Sequence, residues 1–102
     1  MNATSELLNR PHPTKAQAAL AMIDRAETYL EWAEASNSLP HHSFGEAERL
    51  LRSAAVLLCD TLAFQVRVAA EHCVVARETF PSGASAIPYV RAVRAAVERA
   101  GR

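Results

Sequence analysis

The chain has 102 residues, a length typical of a single domain, and half of its residues are hydrophobic. Its 11 acidic and 11 basic side chains give a formal net charge of zero, which excludes an overall field that would attract nucleic acid or an anionic membrane. Because 21 of the hydrophobic residues are alanine, we expect helices that pack closely around a thin core.

The N-terminal part of the sequence predicts a flexible arm followed by a helix. Residues 1–13 end in "RPHP", and two prolines this close together exclude a regular helix. The sequence "TKAQ" that starts at Thr14 is a capping box, so the first helix is expected to begin there. Apolar residues then recur at helical spacing until Ser36, where "SNSLPHH" predicts a loop. We therefore divide the chain into an arm, residues 1–13, and one helical domain, residues 14–102.

The middle of the sequence predicts one long helix. A second capping box, "SFGE" at residues 43–46, opens a run with no further Gly or Pro before Pro81. We therefore predict a central helix over about residues 44–79. The alternative is a break near Asp60 and Thr61, which would cap a new helix and give a four-helix monomer.

The third predicted helix starts between residues 85 and 88, after the "PSG" turn at residues 81–83. The fold class is therefore predicted to be all-α, with a three-helix protomer. Short loops favour antiparallel neighbours, so the two shorter helices are expected to lie along the two halves of the long one in an antiparallel helical bundle.

The long helix is apolar on two flanks and charged on one narrow ridge. This is at least twice the apolar surface of about 100° that a surface helix needs, and the shorter helices can cover one flank. We expect the other flank to bind a second copy, as a homodimer, or a different protein. The residues predicted to bind a partner are Leu50, Leu57, Phe64, Val68 and Val75.

Three polar residues lie between these flanks, at the spacing of a coiled-coil seam: Thr61, Gln65 and His72. We expect a buried polar seam, whose side chains pair with each other, with backbone or with symmetry mates and so fix the register of packing. The alternative is a ligand or proton site in which His72 titrates.

The residue types that bind metals occur at His41, His42, Cys59, His72 and Cys73, but no spacing presents two of them on one helix face. We therefore predict no metal site and no cofactor. Both cysteines are expected to be buried in apolar surroundings, which raise the pKa of a thiol and disfavour nucleophilic chemistry. We predict no catalytic residue.

The segment "RVAAEH", from Arg67 to His72, resembles the Arg-x(4–6)-His motif of HEPN-type ribonucleases, small helical proteins that act as dimers. By this resemblance, Arg67 and His72 would be the RNA-cleaving pair. Val68 stands where a polar residue often follows the arginine in that family. The resemblance covers six residues, and it makes a HEPN-like ribonuclease or toxin–antitoxin component the alternative function.

The first and third predicted helices carry opposite charges. We expect either two solvated faces or complementary charges that meet in an assembly. Nucleic-acid binding is not favoured, because the basic helix lacks interleaved aromatic residues. The acidic set is Glu27, Glu31 and Glu34, and the basic set is Arg91, Arg94, Arg99 and Arg102.

The sequence contains no pattern of a secretory signal and no apolar run of the roughly 20 residues that a membrane helix needs, so we expect a cytoplasmic protein. The predicted function is that of a small, non-enzymatic helical regulator that binds another protein. Bacterial antiactivators that sequester a transcription regulator, such as a quorum-sensing activator, are similar in size and helix content. A structural subunit of a helical assembly is a further alternative.

Overall fold

The computed structural model describes residues 13–36 and 40–101, which form four α-helices: α1 Pro13–Ala35, α2 His41–Val56, α3 Asp60–Thr79 and α4 Ile87–Ala100. The described residues contain no strand, so the prediction of an all-α fold is confirmed. Pro13 stands at the start of α1, where a proline has no intrahelical hydrogen bond to lose. The rest of the predicted arm lies outside the described residues.

The single long helix predicted for residues 44–79 is wrong, because the chain turns between α2 and α3, and the helix count is four instead of three. The backbone N–H of Leu57 donates to the carbonyl of Ala54 at 3.0 Å in the last turn of α2. Cys59 is then extended, with φ −87° and ψ 167°. Its carbonyl accepts the N–H of Ala63 at 2.8 Å, which begins α3. The break falls at the alternative position that the sequence offered.

The other helices start close to the predicted positions, but one of the predicted capping boxes does not form. The helix predicted to begin at Thr14 begins one residue earlier, and α4 begins at Ile87. The capping box predicted at Ser43 does not form, because α2 begins two residues before it. Pro40 precedes the helix without a side-chain cap, and its carbonyl accepts the N–H of Phe44 at 3.2 Å.

Each helix packs against two others, so that α1, α2, α3 and α4 form a closed ring of neighbours. Side-chain contacts join two of these pairs of helices. Along α1 and α4, the side chain of Glu34 lies beside Ser85 and that of Asp24 beside Arg94. Along α2 and α3, Arg52 lies beside Glu71, and the rings of Phe44 and Phe80 meet near the other end.

The core inside this ring is built largely of alanine, with a few large side chains between. The largest fully buried side chains are Phe44, Ile23, Leu30, Leu51, Val66, Val90, Val97 and Cys73. Because alanine presents only a methyl group, helices can approach closely wherever it occupies the contact. Leu50 also belongs to this core.

The interface between α1 and α4 contains a buried carboxylate. Glu27 is 8% exposed, and its Oε2 accepts a hydrogen bond from Nε of Arg91 at 2.9 Å, while its Oε1 accepts one from Arg94. Asp24 also accepts from Arg94, at 3.1 Å, and this hydrogen bond raises the pKa of the guanidinium. The opposite charges that the sequence placed on separate faces or in an assembly therefore meet within one chain.

Candidate protein-binding surface

The side of α3 that faces away from the core carries three large apolar residues. Phe64 is 62% exposed, Val75 is 55% exposed, and Val68 lies between them. Their spacings of four and seven place them in one line along the helix. We call this line the α3 stripe. The opposite side of α3 enters the core through Ala63, Val66, Ala70 and Cys73.

The helix α4 adds a second apolar line beside the α3 stripe, and a groove of about 390 Å³ lies between them. Tyr89 and Ala92 are exposed, and Ala96 is partly exposed. The buried residues Ala69 and Val93 form the floor of the groove. The polar side chains in its lining are those of Gln65, Arg99 and, through its hydroxyl, Tyr89. We call this feature the α3–α4 groove.

The three residues predicted to form a buried polar seam are not buried in this chain. Thr61 and Gln65 are exposed, and His72 is half-buried. The imidazole of His72 stacks on the ring of Tyr89, with 3.5 Å between centroids and 11° between planes. The predicted seam assumes one continuous helix over residues 44–79. The turn before α3 interrupts that helix, so the seam does not continue from α2 into α3.

The residues predicted to bind a partner divide into two groups. Phe64, Val68 and Val75 lie together on the α3 stripe. Leu57 is partly buried at the turn against the core, and Leu50 is inside the core, so neither extends the stripe. The α4 side of the groove is not among the predicted residues, although Tyr89, Ala92 and Ala96 are spaced by three and four residues, as on one face of a helix.

The catalytic alternative depends on Arg67 and His72, which the structure does not bring together. Five positions apart on one regular helix, their side chains diverge by about 140°. Arg67 is exposed, and the His72 ring lies on Tyr89. Within residues 13–36 and 40–101, no three His, Cys, Asp or Glu side chains are grouped so that they could hold a metal ion.

The two cysteines differ sharply in environment. Cys59 is exposed in the turn between α2 and α3, so the prediction that it is buried is wrong. Cys73 is buried in the core as predicted, and burial raises the pKa of its thiol to about 12. Because the thiolate is the nucleophile, Cys73 is inert at neutral pH while Cys59 remains accessible.

This difference predicts the thiol reactivity of the folded protein. At pH 8 an aromatic disulfide reagent is expected to modify Cys59 rapidly and Cys73 only after denaturation. Absorbance of the released thiolate would show one fast equivalent, and the second after guanidinium is added. A Cys59→Ser variant serves as the control and should lose the fast phase. Rapid modification of that folded variant would contradict the burial of Cys73.

No helix in the described part of the chain is both long and apolar enough to cross a membrane. No protein-family model matches the sequence, and comparisons with curated proteins and with solved structures also find no match. The structure defines the fold class: this is an all-α protein with a groove that exposes apolar side chains from α3 and α4.

Proposed function

We propose that this protein is a non-enzymatic helical regulator that binds another protein through the α3–α4 groove. The observation that carries the proposal is the convergence of exposed apolar residues from two helices on one groove. Burying apolar surface is favourable by roughly 25 cal/mol per Å², so a complementary surface gains stability by covering it. Contiguous apolar patches on soluble proteins commonly mark such binding sites.

The shape of the groove favours a helix as the bound element. With its 20 residues, α3 is about 30 Å long, and the groove runs between it and α4. An amphipathic helix with apolar residues at positions i, i+4 and i+7 would place them between the two lining helices. Phe64 and Tyr89 would be the anchors, because partly exposed aromatic residues often dominate binding energy once they are covered. The formal charge of zero favours apolar recognition over electrostatic steering.

In this proposal the protein is cytoplasmic and acts by sequestration, for example as an antiactivator that holds a transcription regulator such as a quorum-sensing activator. The separation of Arg67 from His72 also favours binding over RNA cleavage.

The proposal predicts that Phe64→Glu weakens binding of the partner. A charge on the α3 stripe would have to be buried without a counterion, so affinity is expected to fall at least tenfold. The partner would be isolated with the tagged wild-type chain, identified by mass spectrometry, and then titrated against purified variants by calorimetry.

Trp32→Glu provides the matched control, since Trp32 on α1 is 61% exposed but does not line the groove. This variant should bind as the wild type does. A folded Phe64→Glu variant with unchanged affinity would refute the groove as the binding site. Ribonuclease activity that disappears in His72→Ala would instead support the enzymatic alternative.

A further inference from the structure

The exposed side of α3 is self-complementary about its own middle. Three pairs of residues are each centred between positions 68 and 70: Phe64 with Val75, Arg67 with Glu71, and Gln65 with His72. The members of each pair are chemically complementary, being an aromatic and an aliphatic residue, a cation and an anion, and an amide and an imidazole. All but the half-buried His72 are exposed.

We infer that a second copy of this chain occupies the α3–α4 groove, with the two α3 helices packed antiparallel about a two-fold axis near Ala69. The inference rests on the proposed function, in that it assigns a second copy to the same protein-binding groove, from which a regulator would have to displace it. In an antiparallel pair, residues at equal distances from the axis face each other. Phe64 would then lie against Val75 of the second copy, and each contact would occur twice.

The charged pair fits this arrangement without breaking contacts inside the chain. Glu71 uses its Oε1 atom to accept a hydrogen bond from Arg52 of the same chain at 2.8 Å. The Oε2 atom of Glu71 would accept from Arg67 of the second copy. Two such ion pairs would flank the apolar contact at its solvent-exposed rim.

The polar pair explains why polar residues occur next to an apolar stripe. Covering Gln65 without a partner would leave its amide unsatisfied, which is unfavourable in a dry interface. In the antiparallel arrangement this amide faces the imidazole of His72 from the second copy, which supplies a hydrogen-bond partner. A polar contact that forms in one alignment alone selects that register, as a buried asparagine does in a coiled coil.

The surface is also of sufficient size. The 20 residues of α3 span about 30 Å and the 14 residues of α4 about 21 Å, so two strips about 10 Å wide have a flat footprint of roughly 500 Å². Stable interfaces bury about 800 Å² of accessible surface on each partner, and the accessible surface of a ridged helix layer exceeds its flat footprint.

One further pair has the same centre but the same charge. Asp60 and Glu78 are exposed near the two ends of α3. In the proposed dimer, Asp60 of each copy would face Glu78 of the other. The proposed register therefore contains two repulsive contacts at its edges. Replacing Glu78 with lysine would convert both into attractive ones.

Glu78→Lys is therefore expected to tighten the dimer by about threefold to tenfold, since surface ion pairs are individually weak. Glu98→Lys is the matched control, because Glu98 is an exposed acid of α4 that does not line the groove, and the dissociation constant should not change. Phe64→Glu should weaken the dimer at least tenfold. Circular dichroism would confirm that each variant is folded.

The measurement is sedimentation equilibrium of the full chain over a wide concentration range, with light scattering as an independent mass. The wild type should approach twice the 11.1 kDa chain mass. A monomer at high micromolar concentration, a different oligomer, or a dimer that Glu78→Lys fails to strengthen would overturn the inference. A monomer whose captured protein partner is lost in Phe64→Glu would overturn the dimer and retain the proposed function. A dimer insensitive to Phe64→Glu, with unchanged partner binding, would refute both.

Discussion

Replacing Phe44 with alanine is expected to lower the free energy of unfolding by about 3–5 kcal/mol, because a fully buried ring would leave a cavity in a core with few large side chains. Phe44 is 1% exposed, and its ring meets that of Phe80 edge-on at a centroid distance of 5.8 Å. The many alanines of this core cannot extend to fill such a space. A loss of this size is a large fraction of the roughly 5–15 kcal/mol that stabilises a domain.

Urea unfolding followed by circular dichroism would measure this effect. Trp32→Ala is the control, since it removes a larger side chain that is mostly exposed and contacts Tyr29 edge-on. The free energy of unfolding of Trp32→Ala is expected to fall by about 1 kcal/mol or less. Equal losses in the two variants would show that Phe44 does not occupy the core.

The double variant Arg91→Ala/Arg94→Ala is expected to lower the free energy of unfolding by about 3 kcal/mol, because it leaves the buried carboxylate of Glu27 without a counterion. The side chain of Glu27 is 10% exposed, and these two arginines hydrogen-bond to its two oxygens. Removing one partner of a buried ion pair lowers the free energy of unfolding more than removing a surface ion pair, which contributes about 1 kcal/mol at most.

The same α4 helix supplies a control for this double variant. Arg99→Ala makes the same change of residue type at an exposed position, and we expect a change in unfolding free energy within about 0.5 kcal/mol. The unfolding curves would be recorded at micromolar concentration or below, so that association does not contribute. If the double variant proves as stable as Arg99→Ala, water must reach Glu27 in the folded state.

The helical nature of the chain was predictable from sequence, whereas the turn at Leu57–Cys59 was indicated only as an alternative. Spacing and proline positions located α1 and α4, since these signals act locally. The turn contains no Gly or Pro, and its nearest signal was the pair Asp60 and Thr61. Intrinsic helix propensity is weak compared with tertiary packing. The turn lets α2 and α3 cover each other, which buries apolar residues that one straight helix would expose.

The candidate surface was predictable in part, for a geometric reason. A helical wheel of 100° per residue holds within one unbroken helix. Within α3 it correctly grouped Phe64, Val68 and Val75 on one exposed side. Carried across the turn, it added Leu50 and Leu57, which the structure places in and against the core, and it placed the exposed Cys59 in an apolar interior.

The pairing of α1 with α4 lay beyond the sequence signals. Glu27 and Arg91 are 64 positions apart, and nothing local to either indicates that they meet. Their proximity follows from the ring of helix contacts, which places the basic side of α4 against the acidic side of α1. Without the turn at Leu57–Cys59, the same charges would face solvent or another molecule.

The closed ring has a consequence for the order of the chain. The start of α1 and the end of α4 lie close together: a Cβ atom placed on Gly101 would be 3.8 Å from the Cβ of Ala16. A short linker between these ends, with a new opening at Leu57–Cys59, would give a circularly permuted chain that retains all four helix pairs. The fold therefore depends on which helices contact each other, and we expect it to tolerate a change in the order of the helices along the sequence.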